Sequence, residues 1–144
     1  MSVEEITAEN KRLVRRVPED VATEGNVDVI DDICAEDVID RSPLGETRGR
    51  EEFKEQIEAV RTAFGDFSAT VEETVAEGDT VAMRVTLRGT HAGEFMGVEP
   101  TGREFEVANS VFTRVSDGKI AERWVLPDMF GLMQQIGAVE SPPG

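Results

Sequence analysis

A chain of 144 residues, 39% hydrophobic and 6% aromatic, is long enough to bury a core, which excludes a disordered chain. Thirty acidic residues against fifteen basic ones give a net charge of -15. That charge excludes a nucleic-acid binder, which needs a basic footprint, and an anionic membrane surface would repel it. The only lysines are Lys11, Lys54 and Lys119. An acid-rich, lysine-poor surface suits concentrated salt, which screens self-repulsion, so a halophilic source is expected. Cys34 stands alone, which rules out an intrachain disulfide and a cysteine-based zinc site. The first residues are charged and lack an apolar h-region, and no apolar run approaches a membrane span. A cytoplasmic location is the expectation.

In chain order, Ile6, Leu13, Val14, Val17 and Val21 fall roughly on one helical face, with Pro18 bending or breaking the run. Gly25-Asn26 punctuates, and Asn26 is a good N-cap for a short helix carrying Val29, Ile30 and Ile33. A brief extended stretch, Asp37 to Asp40, leads into the loop Ser42-Pro43-Leu44-Gly45. Arg50 to Phe64 is the clearest helix, with Phe53, Ile57, Val60 and Phe64 at helical spacing and Gly65 ending it.

The period then changes. Phe67 to Val75 reads as a strand, Glu77-Gly78-Asp79 as a turn, and Val81, Met83, Val85 and Leu87 alternate with polar neighbours. Arg84, Thr86 and Arg88 form that strand's polar face, open to solvent, a subunit interface or an anionic substrate. A connection from His91 to Arg103 precedes strands at Glu104 to Val115 and Ile120 to Leu126, joined by the hairpin turn Ser116-Asp117-Gly118-Lys119. Pro127-Asp128 leads into a last helix with Met129, Leu132, Met133 and Ile136, closed by Gly137. Helices first and a strand meander second predict one α+β domain over 1–140, with 141–144 as a frayed tail.

The string Gly89-Thr90-His91-Ala92-Gly93-Glu94-Phe95-Met96-Gly97 through Arg103 resembles the SnoaL-like polyketide cyclase signature. So do Asp117-Gly118-Lys119-Ile120 with Trp124, and Pro127-Asp128 followed by Gln134-Gln135-Ile136-Gly137. The resemblance implies the nuclear-transport-factor-2-like cone: a curved antiparallel sheet closed by N-terminal helices and a short C-terminal helix around one pocket. It also implies a homodimer formed through sheet faces. The same cone hosts several chemistries and plain ligand binders, so function rests on pocket residues.

Asp128 matches the aspartate that the family's cyclases use as acid and base in an intramolecular aldol closure. An apolar pocket raises a carboxylate's pKa toward neutrality, as proton removal beside a carbonyl requires. Trp124, Leu126, Met129 and Phe130 are its apolar neighbours, and helix capping is the competing role. Asn109, between Val107 and Val111, either points into a cavity or is satisfied in the core; cyclases carry an amide here that steadies an enolate. Asp40, His91, Val111, Trp124 and Phe130 are further pocket candidates; His91 is equally a loop anchor, and Trp124 equally core. No ligand set for a metal is apparent, and no cofactor is expected.

Departures count too. Val111 and Arg41 stand where family members often carry histidine, which weakens the aldol expectation. The absence of tyrosine disfavours ketosteroid-isomerase-like and scytalone-dehydratase-like sites. An epoxide-hydrolase-like Asp-Arg-Asp set stays open without distinctive support. The enzyme expectation is a cofactor-free cyclase or isomerase for a small apolar carbonyl compound, with Asp128 facing a cavity of several hundred cubic ångströms. A non-catalytic binding domain of the same shape is the rival, and a dimeric scaffold with a filled pocket is a third possibility.

Overall fold

The computed structural model describes residues 1–140; the tail 141–144, expected to fray, lies outside the described residues. Helix α1 (Val3–Arg16) starts where the Ser2 hydroxyl accepts the N–H of Glu5. Pro18 has no N–H for the α-helical ladder, yet the chain does not stop there. It widens into a π-helical segment, Val17–Thr23, which turns Val17, Pro18 and Ala22 inward. The Thr23 hydroxyl stitches this segment to the sheet, accepting the Ala69 N–H at 2.9 Å.

Helix α2 (Val29–Ile33) is capped at Asp28 rather than Asn26, whose carbonyl instead accepts the Val29 N–H in the preceding turn. Strand β1 (Cys34–Ser42) is longer than the pattern suggests and folds back on β2 (Gly45–Arg48), which the sequence did not signal. Four residues with a single buried side chain, Thr47, are too short to display alternation. Gly49 then adopts φ 88° at the N-cap of α3 (Arg50–Ala63), a backbone state that favours glycine. Helix α3 ends before Gly65, which belongs to β3 (Phe64–Glu77).

Strands β4 (Thr80–His91), β5 (Glu104–Ser116) and β6 (Lys119–Pro127) follow, then α4 (Met129–Gln135), closed by Gly137 at φ 85°. The six strands form one curled, unclosed sheet in the order β2-β1-β6-β5-β4-β3. All neighbours are antiparallel except β1 and β6, which run parallel at that one seam of the expected curved antiparallel sheet. A parallel neighbour needs a crossover, and the chain between the two strands supplies it.

β5 shows how the sheet divides inside from outside. Phe105, Val107, Asn109, Val111, Thr113 and Val115 are buried while the intervening residues face outward. Helices α1 to α3 cover the concave face, and residues such as Val14, Ile30, Phe53, Val81 and Ile120 are almost wholly buried there. Each contributes about 1.5–3 kcal/mol of burial. A second cluster gathers Phe64, Phe95, Phe105, Leu132 and Ile136, pinning α4 and the loop after β4 over one end. Among the described residues no helix is long and apolar enough to cross a membrane.

Candidate active-site pocket

The concave face leaves a cavity of about 140 Å³ between β4, β5 and β6 on one side and α3, the π-helical segment and α4 on the other. Phe53, Ile57, Phe67, Met83, Val85 and Leu87 give it an almost wholly apolar wall. That volume falls short of the several hundred cubic ångströms expected of a ligand pocket. It matches a single aromatic ring, since an apolar cavity of about 150 Å³ takes benzene. Leu44 and Phe95, on two loops, belong to the wall.

The polar groups in that wall are few: Asp40, Ser42, Gln56, Asn109 and Arg123. Asp40 and Arg123 are direct partners across the parallel seam, and Arg123 Nη1 donates to Asp40 Oδ1 at 2.5 Å. Their side chains are only 5% and 8% exposed, so this pair is buried. The guanidinium carbon also lies 5.1 Å from the centroid of the Phe53 ring. A buried pair repays its desolvation poorly, and losing one partner leaves the other charge stranded. One register level carries it: Thr47 on β2, Asp40 on β1, Arg123 on β6 and Thr113 on β5 are successive neighbours, all buried. Three atoms of that row, Thr47 Oγ1, Arg123 Nε and Thr113 Oγ1, have no hydrogen-bond partner among the described residues.

Asn109 and Val111 point inward, and both line the cavity. Asn109 is 7% exposed and its Oδ1 is likewise without a partner. An orphaned buried polar atom costs about 1–3 kcal/mol, so the two on cavity-lining residues, Asn109 Oδ1 and Arg123 Nε, mark a place where polarity is unspent. Asp40 lines the cavity too.

The remaining candidates lie outside the cavity wall. Asp128 does not line the cavity although Pro127 and Met129 on either side do. Its carboxylate is exposed, and Oδ1 accepts the Gly131 N–H at 2.8 Å as the cap of α4. Trp124 and Phe130 are exposed by 41% and 60% and face away from the cavity. The phase of β6 explains the first of these. Its bulky apolar residues Trp124 and Leu126 sit on the outer face, whereas Arg123, Val125 and Pro127 turn inward, opposite to what side-chain hydropathy suggests. Arg123 was invisible for the same reason; the one signal available was its alternation in step with Val125.

His91 is wholly buried but outside the pocket wall. Its Nδ1 accepts the Thr101 N–H at 3.2 Å, which fixes the proton on Nε2, and its backbone bonds Arg103 and Gly102. It anchors the loop. Arg84 and Arg88 pair with Glu73 and Glu106 on the outer face, so they do not form an anion site in the pocket. Burial pushes the Cys34 thiol up to about 11, against the pull of Arg123 and Arg50, which makes it an inert core residue. Among the described residues no three His, Cys, Asp or Glu side chains gather as a metal site.

The chain matches the family described as SnoaL-like polyketide cyclase over residues 12–136. Aklanonic acid methyl ester cyclase DnrD of Streptomyces peucetius is 33% identical over 131 residues, covering 87% of this chain and 88% of that one. Among solved structures, AclR of Streptomyces galilaeus, a candidate hydroxylase, is 30% identical with a TM-score of 0.82, covering 95% of this chain and 86% of that one. A protein of Jannaschia sp. CCS1 assigned as SnoaL-like superposes with a TM-score of 0.87 over 99% of both chains; at 24% identity it speaks for the fold.

Proposed function

Since this chain belongs to the SnoaL-like polyketide cyclase family, we propose that it is a cyclase-type enzyme closing a ring within a small, mostly apolar carbonyl compound. The carrying observation is the cavity itself: an apolar, ring-sized hollow with Asn109, Asp40 and Arg123 among its few polar features. Such a wall strips water from a bound ring and holds its carbonyl against fixed dipoles, where a developing enolate is worth most. The Asn109 side chain steadies that oxygen.

Proton transfer falls to Asp128 at the rim. The residues flanking it line the cavity, and only its Oδ1 is engaged by the helix cap. A substrate longer than one ring extends past the cavity toward this carboxylate. Its own apolar body then dries a group that is otherwise exposed. Asp128 Oδ2 takes the proton from the carbon beside the carbonyl, the enolate carbon attacks a second carbonyl of the same molecule, and the proton returns to the new alkoxide. No cofactor enters this scheme.

One observation favours a second reading, ligand binding without chemistry: the Asp128 carboxylate is exposed and already serves as a cap. α-Deuterated aryl ketones followed by NMR separate the two. The enzyme exchanges the label about 10²-fold or more faster than Asp128→Asn; equal rates in both proteins would leave only binding.

The active form is a homodimer paired through the convex sheet face. Supporting it is a registered row of exposed apolar side chains, Val75, Phe112 and Trp124, joined through Ala82, with Leu126 beside it. Its place of work is the salt-rich cytoplasm of a halophile, for which the charge of -15 is the support.

A further inference from the structure

We infer that Arg123 is the residue that binds an oxygen of the substrate at the deep end of the pocket, through its Nε–H, with Asp40 as its positioning partner. This rests on the pocket being the substrate site, as proposed above, and adds a residue and a ligand class to it.

Three facts converge. Arg123 lines the cavity and is almost fully buried. One of its nitrogens, Nη1, is committed to Asp40 Oδ1 at 2.5 Å, which fixes the plane of the guanidinium. Its Nε has no acceptor among the described residues and is sealed from solvent. Arg123 is part of the cavity wall, so the cavity is the side from which an acceptor would approach that donor once the side chains over it shift. A second orphan stands next to it: Thr113, the direct cross-strand partner of Arg123, is wholly buried and its hydroxyl also lacks a partner. Side chains of such partners rise from the same face a few ångströms apart, so the two unpaired groups are neighbours, although Thr113 is not itself part of the cavity wall.

Charge decides what kind of oxygen. Among the described residues Arg123 is the only cationic side chain in the pocket wall, and Asp40 already balances it. A carboxylate brought into this wall would carry an uncompensated charge into an apolar space. A ketone or ester oxygen carries none, and it still gains a charge-assisted bond from a guanidinium that cannot lose its proton. The pocket therefore takes neutral carbonyl compounds and rejects the corresponding acids. Asn109, on β5 one end of the cavity away, is left to meet a second polar atom of the same molecule.

Acetophenone, ethylbenzene and benzoate test this on the intact protein, since all three have one ring and differ in the oxygen. In a ¹⁵N-labelled sample the Arg123 Nε–H resonance, assigned by its loss in Arg123→Met, is followed during titration with each. Acetophenone is expected to shift it downfield, ethylbenzene to shift Val85 and Val111 but not Arg123, and benzoate to bind at least tenfold more weakly than acetophenone. The neutral pair Asp40→Asn with Arg123→Met, which avoids a stranded charge, is expected to weaken acetophenone about tenfold and to leave ethylbenzene within about twofold. Equal shifts from acetophenone and ethylbenzene, equal losses in the double variant, or benzoate binding as well as acetophenone would each overturn the role of Arg123 while leaving the pocket as a binding site. If neither neutral probe moves any pocket resonance, the pocket itself fails as the substrate site, and this inference with it.

Discussion

Asp128 Oδ1 holds the N–H of Gly131 at 2.8 Å, which ties the proposed proton carrier to the start of α4 by one of its two oxygens. Capping and chemistry can therefore be separated by substitution. Asp128→Asn retains an oxygen for the cap and is expected to keep its urea midpoint while losing exchange activity. Asp128→Ala loses both, with a stability cost of about 1 kcal/mol. A paired loss of stability in Asn and Ala would show that the charge, and not the cap alone, holds the helix.

The buried pair of Asp40 and Arg123 makes a second prediction, about stability. Arg123→Met alone strands a carboxylate in an apolar wall and is expected to cost about 3–5 kcal/mol in guanidinium unfolding. Adding Asp40→Asn should restore most of it. Additive losses would mean that the two side chains do not depend on each other.

On the convex face, Phe112 and Trp124 stand opposite one another, and the Arg41 guanidinium lies 5.2 Å from the Trp124 ring centroid. Phe112→Glu with Leu126→Glu changes only exposed positions, so folding is expected to survive while sedimentation shifts from dimer to monomer. Trp124 is the only tryptophan, so its emission should move to the red on dilution as the pair separates. A wild-type protein that sediments as a monomer at every concentration removes the dimer.

Cys34 yields a pH dependence whose sign is fixed by burial. Below pH 9 the thiol is protonated folded and unfolded, and it contributes no slope. Above its ordinary value of 9.0 the unfolded chain releases the proton, while the folded thiol keeps it up to about 11. Stability is therefore expected to fall between those values, by up to about 3 kcal/mol. The chain has no tyrosine to titrate in the same window. Cys34→Ala should flatten that part of the profile; an unchanged slope would assign it to other groups.

Salt provides the last test. With twice as many acidic as basic residues, self-repulsion weakens the compact state in dilute buffer. The melting temperature is expected to rise in molar KCl, and a melt that is flat with salt would remove the halophile expectation.

Much of the fold was legible in order and type. The alternation of Val81, Met83, Val85 and Leu87, the helix around Phe53, and the turn at Asp117-Gly118 all fall where the pattern puts them. What misled was β6. Hydropathy assigns its large apolar residues to the inside, but a sheet that is helix-covered on one face can leave its apolar outer side chains uncovered. The inner face carries Arg123, which its partner Asp40 makes tolerable. Asp128 inherited the wrong phase from Trp124, and Phe130 followed it.

Local chemistry, then, was settled by the chain alone: which segments coil, which extend, where Gly and Asp allow a turn, and that the surface is acidic. These depend on residues within a few positions of each other. The pocket depends on residues far apart in sequence. Asp40 and Arg123 meet only because β1 lies parallel to β6, and which side of β6 faces inward is fixed by the curl of the whole sheet. A strand carries two faces of equal standing until tertiary packing dries one of them, and only then does a side chain become wall or surface.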